Sequence, residues 1–316
     1  MARGARDVHE HLGPTLYFLQ VHLLYTTLVA LGAWALTSLR GASVTVKFWI
    51  WTAASLNFVV PLGGFIDGFG AQDLPGAQQL APITALAVAL ARHPSVAALL
   101  SALWVAGALL MLLRLLVRIS RERRTNGGQR SRGVPAFRMQ GVPVHFTADC
   151  QGPAVEGMWR SHICLPLGIQ HLLSERELHA VLLHEVMHAR RRDNLLRLIH
   201  EFAQCLLWFH PLLWLTGSRL ALYRELSCDA SVLKGSSGSL LVSALAKLAS
   251  PENSLVLRSA ATSLVAHRLD RLLAPATAEA NRRLNAALAA AFATLLFAGG
   301  VFLTVANTAC CLVRVP

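Results

Sequence analysis

The chain has 316 residues, of which 54% are hydrophobic and only 15% charged, and its formal net charge is +12. A soluble domain carries about 25% charged residues, so this composition excludes an ordinary soluble protein and points to a chain partly housed in lipid. The positive balance does not require nucleic acid. Arginines crowded beside apolar stretches follow the charge rule for membrane loops, and no direct nucleic-acid binding is expected.

In chain order, Pro14 to Leu39 is apolar over enough length for the about 20 residues a span requires. It is too long for a signal-peptide core and lacks a cleavage site, so it is expected to anchor the chain. Phe48 to Ile66 is a second apolar stretch, weakened by Asn57, Pro61 and Gly63-Gly64. Leu80 to Ala91 is too short to cross and is expected to lie on a surface. Ser95 to Ile119 is a third span, with Arg114 and Arg118 near its end and able to reach the interface. Leu284 to Ala306 is a fourth.

Orientation follows from the arginines. Arg121, Arg123, Arg124, Arg130 and Arg132 follow the third span and Arg282 and Arg283 precede the fourth, while Asp67 to Gln79 holds no Lys or Arg. Residues 120–283 are therefore expected on the cytoplasmic side, with both termini outside. The layout is a membrane region over 1–119, a basic linker over 120–133, a catalytic domain over 134–283, and a final span with a short tail over 284–316. The expected fold class is a mainly α membrane protein of about four transmembrane helices with an inserted α+β domain. The cysteines, Cys150, Cys164, Cys205, Cys228, Cys310 and Cys311, form no C-x-x-C pair and read as reduced or core thiols.

Within the inserted segment, Val142 to Thr147 and His162 to Leu165 have the alternation of short strands, bounded by Gly141, Gly152-Pro153 and Pro166. Ala154 to Cys164 is the expected sheet edge with which an extended substrate would pair, the alternative being a strand merely packed under the helix that follows. Ser174-Glu175-Arg176-Glu177 is a capping box, and Leu178, Val181, Leu182 and Leu183 supply the apolar face of the helix it opens. That helix carries His184-Glu185-Val186-Met187-His188. Two histidines four positions apart lie on one face, one turn apart, and can grip one zinc ion, with Glu185 beside them to take a proton from water. Such a constellation is the working end of a zinc peptidase. Arg190-Arg191-Arg192 after it is expected to be a solvated face.

Two histidines hold zinc poorly, so a third ligand is needed. Glu225 follows His188 by 37 residues, room for a turn and a returning helix, and would complete a His₂Glu site with one open position. Asp229, one turn later, is expected to hydrogen-bond a ligand histidine, with Asp193 the alternative for that role. Phe202 to Leu215 is apolar enough to enter a membrane. A simple crossing would put Glu225 on the wrong side, so the site requires a re-entrant or interfacial hairpin broken near Pro211. His162, His171, His179, His200 and His210 are lone histidines expected to be structural. Ser231-Val232-Leu233-Lys234 lacks the partner motifs of serine-acylating enzymes.

The order of Pro153-Ala154-Val155-Glu156-Gly157, Ile163-Cys164-Leu165-Pro166, the histidine motif, Arg192-Asp193-Asn194, Trp208-Phe209-His210-Pro211-Leu212 and Glu225-Leu226-Ser227-Cys228-Asp229 resembles the BlaR/MecR-type membrane metallopeptidases, the antirepressor family of bacterial β-lactam sensing. The resemblance is close over about residues 134 to 240. It implies a gluzincin-like domain with His184, His188 and Glu225 on zinc and Glu185 as general base, in the bacterial plasma membrane. Its implied protein substrate is a small winged-helix repressor in the cytoplasm. The β-lactam sensors carry a penicillin-binding domain after the last span, and this chain ends at Pro316, so direct covalent sensing of β-lactams is not expected. A quality-control membrane protease of the HtpX type and a zinc-holding signalling protein that does not cleave are the competing expectations.

Overall fold

The computed structural model describes residues 22–39, 41–59, 93–125, 136–148, 150, 152–234, 237–248, 268, 272 and 282–312. Asp67 to Gln79, Leu80 to Ala91, and Arg130 and Arg132 of the linker lie outside them. The described chain is mainly helical, with one small mixed sheet. Its helices are α1 (residues 22–38), α2 (Val44–Asn57), α3 (Pro94–Thr125), α4 (Ile169–Leu172), α5 (Glu175–Arg191), α6 (Asp193–Leu206), α7 (Pro211–Val232), α8 (Gly238–Leu248) and α9 (Arg282–Leu312). The strands are β1 (Phe137–Met139), β2 (Val142–Thr147), β3 (Ala154–Glu156) and β4 (His162–Pro166), in the order β1-β2-β4-β3.

The sheet is local chemistry first. Gln140 and Gly141 both take positive φ, 49° and 86°, as a two-residue hairpin turn of matching twist demands, and β1 folds back on β2 antiparallel. β4 then runs parallel to β2, and β3 pairs antiparallel with β4. The expected edge from Ala154 to Cys164 is thus a hairpin, of which β3 alone is the rim. Alternation sends Val144, Ile163 and Leu165, all fully buried, to one face. They meet Ala180, Val181, Leu182 and Val186 of α5 and Leu241 and Ala244 of α8 in one core.

The capping box forms at the head of α5: the Ser174 amide donates to Glu177 Oε2 at 2.8 Å and the Glu177 amide to Ser174 Oγ at 3.4 Å. Glu177 also receives Ser243 Oγ at 2.5 Å and Lys247 Nζ at 2.7 Å, so α8 docks on the start of α5. Lys247 first, then Ser243 and Ser174, hold the Glu177 carboxyl down at about 2. At its other end α5 stops at Arg192, a non-glycine residue in the left-handed region (φ 55°, ψ 46°) that is at once its C-cap and the N-cap of α6.

Between α6 and α7 the chain turns at Leu207–Phe209, and Pro211 opens α7 at its first position, where a missing N–H costs nothing. The break expected near Pro211 is present, and α7 returns beside α6. Two indoles satisfy carbonyls that the helix end exposes: Trp104 Nε1 donates to Leu206 O at 2.7 Å and Trp214 Nε1 to Trp208 O at 3.0 Å. The Trp208 ring lies so close to Gly107 of α3 that a Cβ there would sit 2.4 Å from it, and Arg118 of α3 pairs with Glu201 of α6.

Among the described residues one helix is long and apolar enough to cross a membrane, Ala98–Arg121 within α3. Leu99, Leu103, Leu109 and Leu113 project from it, each more than half exposed. α2 covers the start of the expected second span, and the rest of that stretch, from residue 60, lies outside the described residues. The described part packs within the protein. Phe48, Trp51 and Ala54 are fully buried in a core with Tyr25 and Val29 of α1, Leu220 of α7 and Leu288 and Phe292 of α9.

Leu165→Ala is expected to lower the unfolding free energy of the detergent-solubilised protein by about 2–5 kcal/mol. Leu167→Ala, at a site 64% exposed, should stay within ~0.5 kcal/mol, which controls for the substitution itself. Acid unfolding followed by circular dichroism checks the Glu177 network. Its folded pKa lies below the ordinary 4.5, so the stability it contributes is present above that pH and lost as pH falls toward 2. Glu177→Gln should flatten the stability curve across that window and leave it unchanged in shape above it.

Candidate metal centre

α5 and α7 face each other across the site, and α6 joins them. His184 and His188 stand one turn apart on α5, with ring centroids 4.8 Å apart and their Nε2 atoms 3.1 Å apart. From α7, Glu225 brings Oε2 to 3.5 Å from His184 Nε2 and 3.7 Å from His188 Nε2. Two donors each bound to one tetrahedral zinc at the usual lengths lie about 3.3 Å from one another. The three edges of this triangle bracket that value, so the donors are spaced to fit one tetrahedral ion.

Each remaining imidazole nitrogen lies beside a carboxylate. His188 Nδ1 and Asp193 Oδ2 are hydrogen-bonded at 2.6 Å. His184 Nδ1 lies 2.9 Å from Asp229 Oδ1, close enough to pair although too bent to count as a hydrogen bond. Asp193 and Asp229, weighed as alternatives from the sequence, therefore each serve a different histidine. Asp193 owes its place to the break at Arg192, which starts α6 with that carboxylate turned back toward α5.

Burial pushes both imidazoles toward the neutral form, but their partners outweigh it. Asp229 and then Glu225 lift His184 to about 9, and Asp193, with help from Cys228 and Glu225, lifts His188 well above its ordinary value. Burial would also raise the Glu225 carboxyl, yet His184 and His188 hold it well below the usual range. Asp229 is held low in the same way by His184 and Arg268. Three carboxylates thus concentrate positive charge where the two Nε2 atoms meet. That demand can be met by protons or by a metal ion.

A second donor set shares the histidines. His184, His188 and Cys228 each offer one ligand atom, and those atoms lie within 4.8 Å of one another. Cys228 Sγ, however, is 3.6 Å from His188 Nδ1, the nitrogen that already serves Asp193, and it receives Arg191 Nη2 at 2.9 Å. The Glu225 set uses the two nitrogens that face each other, so its chemistry fits a single ion better.

Glu185, half-buried on α5, forms no hydrogen bond or ion pair among the described residues. Next to the site, Asn194 Nδ2 donates to Val155 O at 2.8 Å and Gly157 O at 3.3 Å, tying the rim strand β3 to the first turn of α6.

Two residues were missed from the sequence. Arg191, expected to be solvated with its neighbours, turns inward: it pairs with Asp193, bonds Ser227 Oγ and Arg224 O, and lies 4.2 Å from the centre of the Phe48 ring. Arg268, 84 positions after His184, sends Nε and Nη2 to the two oxygens of Asp229, each at 2.8 Å, and places Nη1 3.5 Å from Glu225 Oε2. No local motif marks it, because its partners belong to helices distant in the chain. Of the lone histidines, His200 meets Ser55 Oγ at 2.7 Å and His210 meets Thr27 Oγ1 at 3.1 Å, both away from the metal centre.

A family model described as BlaR1 peptidase M56 matches residues 23–272. The methicillin resistance mecR1 protein of Staphylococcus aureus is 24% identical over 98 residues, which are 31% of this chain and 17% of that protein. The regulatory protein BlaR1 of Bacillus licheniformis is 36% identical over 84 residues, 27% of this chain and 14% of that protein. The aligned stretches thus cover less than a fifth of either relative. The family match runs from α1 through the sheet, the histidine helix and the returning α7 to Leu272, and the chain belongs to the BlaR1 peptidase M56 family.

Proposed function

We propose that this protein is a membrane-bound zinc endopeptidase that cuts a protein at the cytoplasmic face of a bacterial plasma membrane. The observation that carries the proposal is the triangle formed by His184 Nε2, His188 Nε2 and Glu225 Oε2, with Glu185 adjoining it. Zinc held there would supply Lewis acidity to water and to the scissile carbonyl. The protein's own residues do the rest. Glu185 accepts the proton of the attacking water on its carboxylate and returns it to the leaving amine nitrogen. Asp193 and Asp229 hold the rings. The rim strand β3 receives an extended segment of substrate, and Asn194 keeps that rim at a fixed distance from the histidines.

The membrane placement rests on α3 with its projecting leucines, and on a hairpin whose freed carbonyls are met by Trp104 and Trp214, as backbone near lipid requires. With α1, part of the α2 region and α9, α3 makes up the four spans expected from the sequence, and the arginines flanking α3 and α9 put residues 120–283 inside. The substrate proposed is a small winged-helix repressor, since relatives in the family are named as regulatory and resistance proteins.

Metal analysis of the purified full-length protein checks the ligand set. Wild type should bind zinc stoichiometrically, His188→Ala and Glu225→Gln should lose it, and Cys228→Ser should keep it. Loss in Cys228→Ser with retention in Glu225→Gln would reassign the third ligand to the thiol. Catalysis is checked by comparing new protein N-termini in host cells carrying wild type or Glu185→Gln. The variant should keep its zinc and lose about 10²–10⁴-fold in cleavage. Cuts confined to one small DNA-binding regulator are expected; cuts across many membrane proteins would point to quality control instead.

A further inference from the structure

Each histidine is turned by a carboxylate, and each carboxylate is gripped by one arginine. Around His188, Arg191 Nε and Nη2 reach the two oxygens of Asp193 at 3.2 and 2.5 Å. Around His184, Arg268 Nε and Nη2 reach the two oxygens of Asp229 at 2.8 Å each. The two arrangements have the same order of groups yet are built from unrelated parts of the chain. Arg191 is the last residue of α5, while Arg268 comes from between α8 and α9. Both side chains are about nine-tenths buried.

A carboxylate on its own does not settle which way a ring points. The terminal torsion of Asp is broad, so an unrestrained carboxylate can swing away from the imidazole it should hold. A guanidinium fork bonded to both oxygens removes that freedom, and lysine, with a single compact ammonium, does not. We propose that Arg191 and Arg268 are positioning residues of the metal centre. Each locks its aspartate so that the histidine Nδ1 is engaged and Nε2 is left to face the shared ion. The proposal rests on the His184, His188 and Glu225 site proposed above.

Charge and geometry predict opposite results here, which makes the matter decidable. A buried guanidinium close to a divalent ion repels it, so if these arginines acted only as charges, their removal would tighten metal binding. If they act by orienting the rings, removal weakens it. Arg268 is the sharper case, because its Nη2 is 3.5 Å from His184 Nε2 itself.

The experiment uses the full-length protein in detergent. Zinc affinity is read by competition with a chromophoric chelator, and ligand geometry by the visible absorption of the cobalt-substituted protein. Arg191→Gln and Arg268→Gln should each weaken zinc by about 10–100-fold and change the cobalt spectrum, with the lysine variants recovering little of the loss. Asp229→Asn combined with Arg268→Gln should bind zinc no more weakly than Asp229→Asn alone, because both act through one carboxylate. Affinity that is unchanged or tighter in the glutamine variants, full recovery by lysine, or additive losses in the double variant would each overturn the proposal. The lysine variants keep the buried charge, so their cobalt spectra carry the test if the glutamine variants do not fold. A wild type that takes up neither zinc nor cobalt would instead bring down the ligand assignment, and this proposal with it.

Discussion

An imidazole offers two nitrogens on opposite sides of a ring, and two imidazoles on successive turns of a helix share an ion only when the same side of each ring is turned toward it. Helix periodicity brings His184 and His188 together, but it says nothing about how either ring is rotated. In this protein rotation is settled from outside α5, by Asp193 at the start of α6 and Asp229 on α7. Much of the surrounding architecture serves that end. The break at Arg192 places the first carboxylate, and the hairpin before Pro211 returns the second together with Glu225. The sheet presses α5 from behind through Val144, Ile163 and Leu165.

The same hairpin joins the site to α3, the one helix among the described residues long and apolar enough to cross a membrane. α6 and α7 descend from the site and turn where Trp104 and Trp214 supply N–H donors to Leu206 and Trp208. The seat for Trp208 exists only because residue 107 is glycine. α3 thereby packs closely on the returning pair, and α2 meets α7 through Phe48 and Trp51.

What could be read in the sequence was what is local. Both inner strands lie where alternation and flanking Gly and Pro residues put them, and the capping box at Ser174 forms with the partners its spacing names. Glu225 was reachable by a longer argument, since two histidines call for a third donor and a helix of suitable pattern stood at the right remove; the fold brings its Oε2 to 3.5 and 3.7 Å from the two Nε2 atoms. Three features were not legible, each for a physical reason. The apolar pattern of α2 is the same whether its neighbour is lipid or protein, so its packing against α1, α7 and α9 could not be read from it. Arg191 lies in a run of three arginines whose composition announces a solvated surface, and only the fold turns this one inward onto Asp193, Cys228 and the Phe48 ring. Arg268 is bound to partners about forty and more positions away, a separation no local motif records.

Arg192 is a single left-handed residue that ends one helix and begins the next, with no residue to spare on either side. An α-helix advances about 100° per residue, so one added or lost position here would swing Asp193 a quarter-turn or more around the axis of α6 and away from His188. The stretch from His188 to Asp193 is therefore a counted length. The interval that aims the second histidine must keep its number.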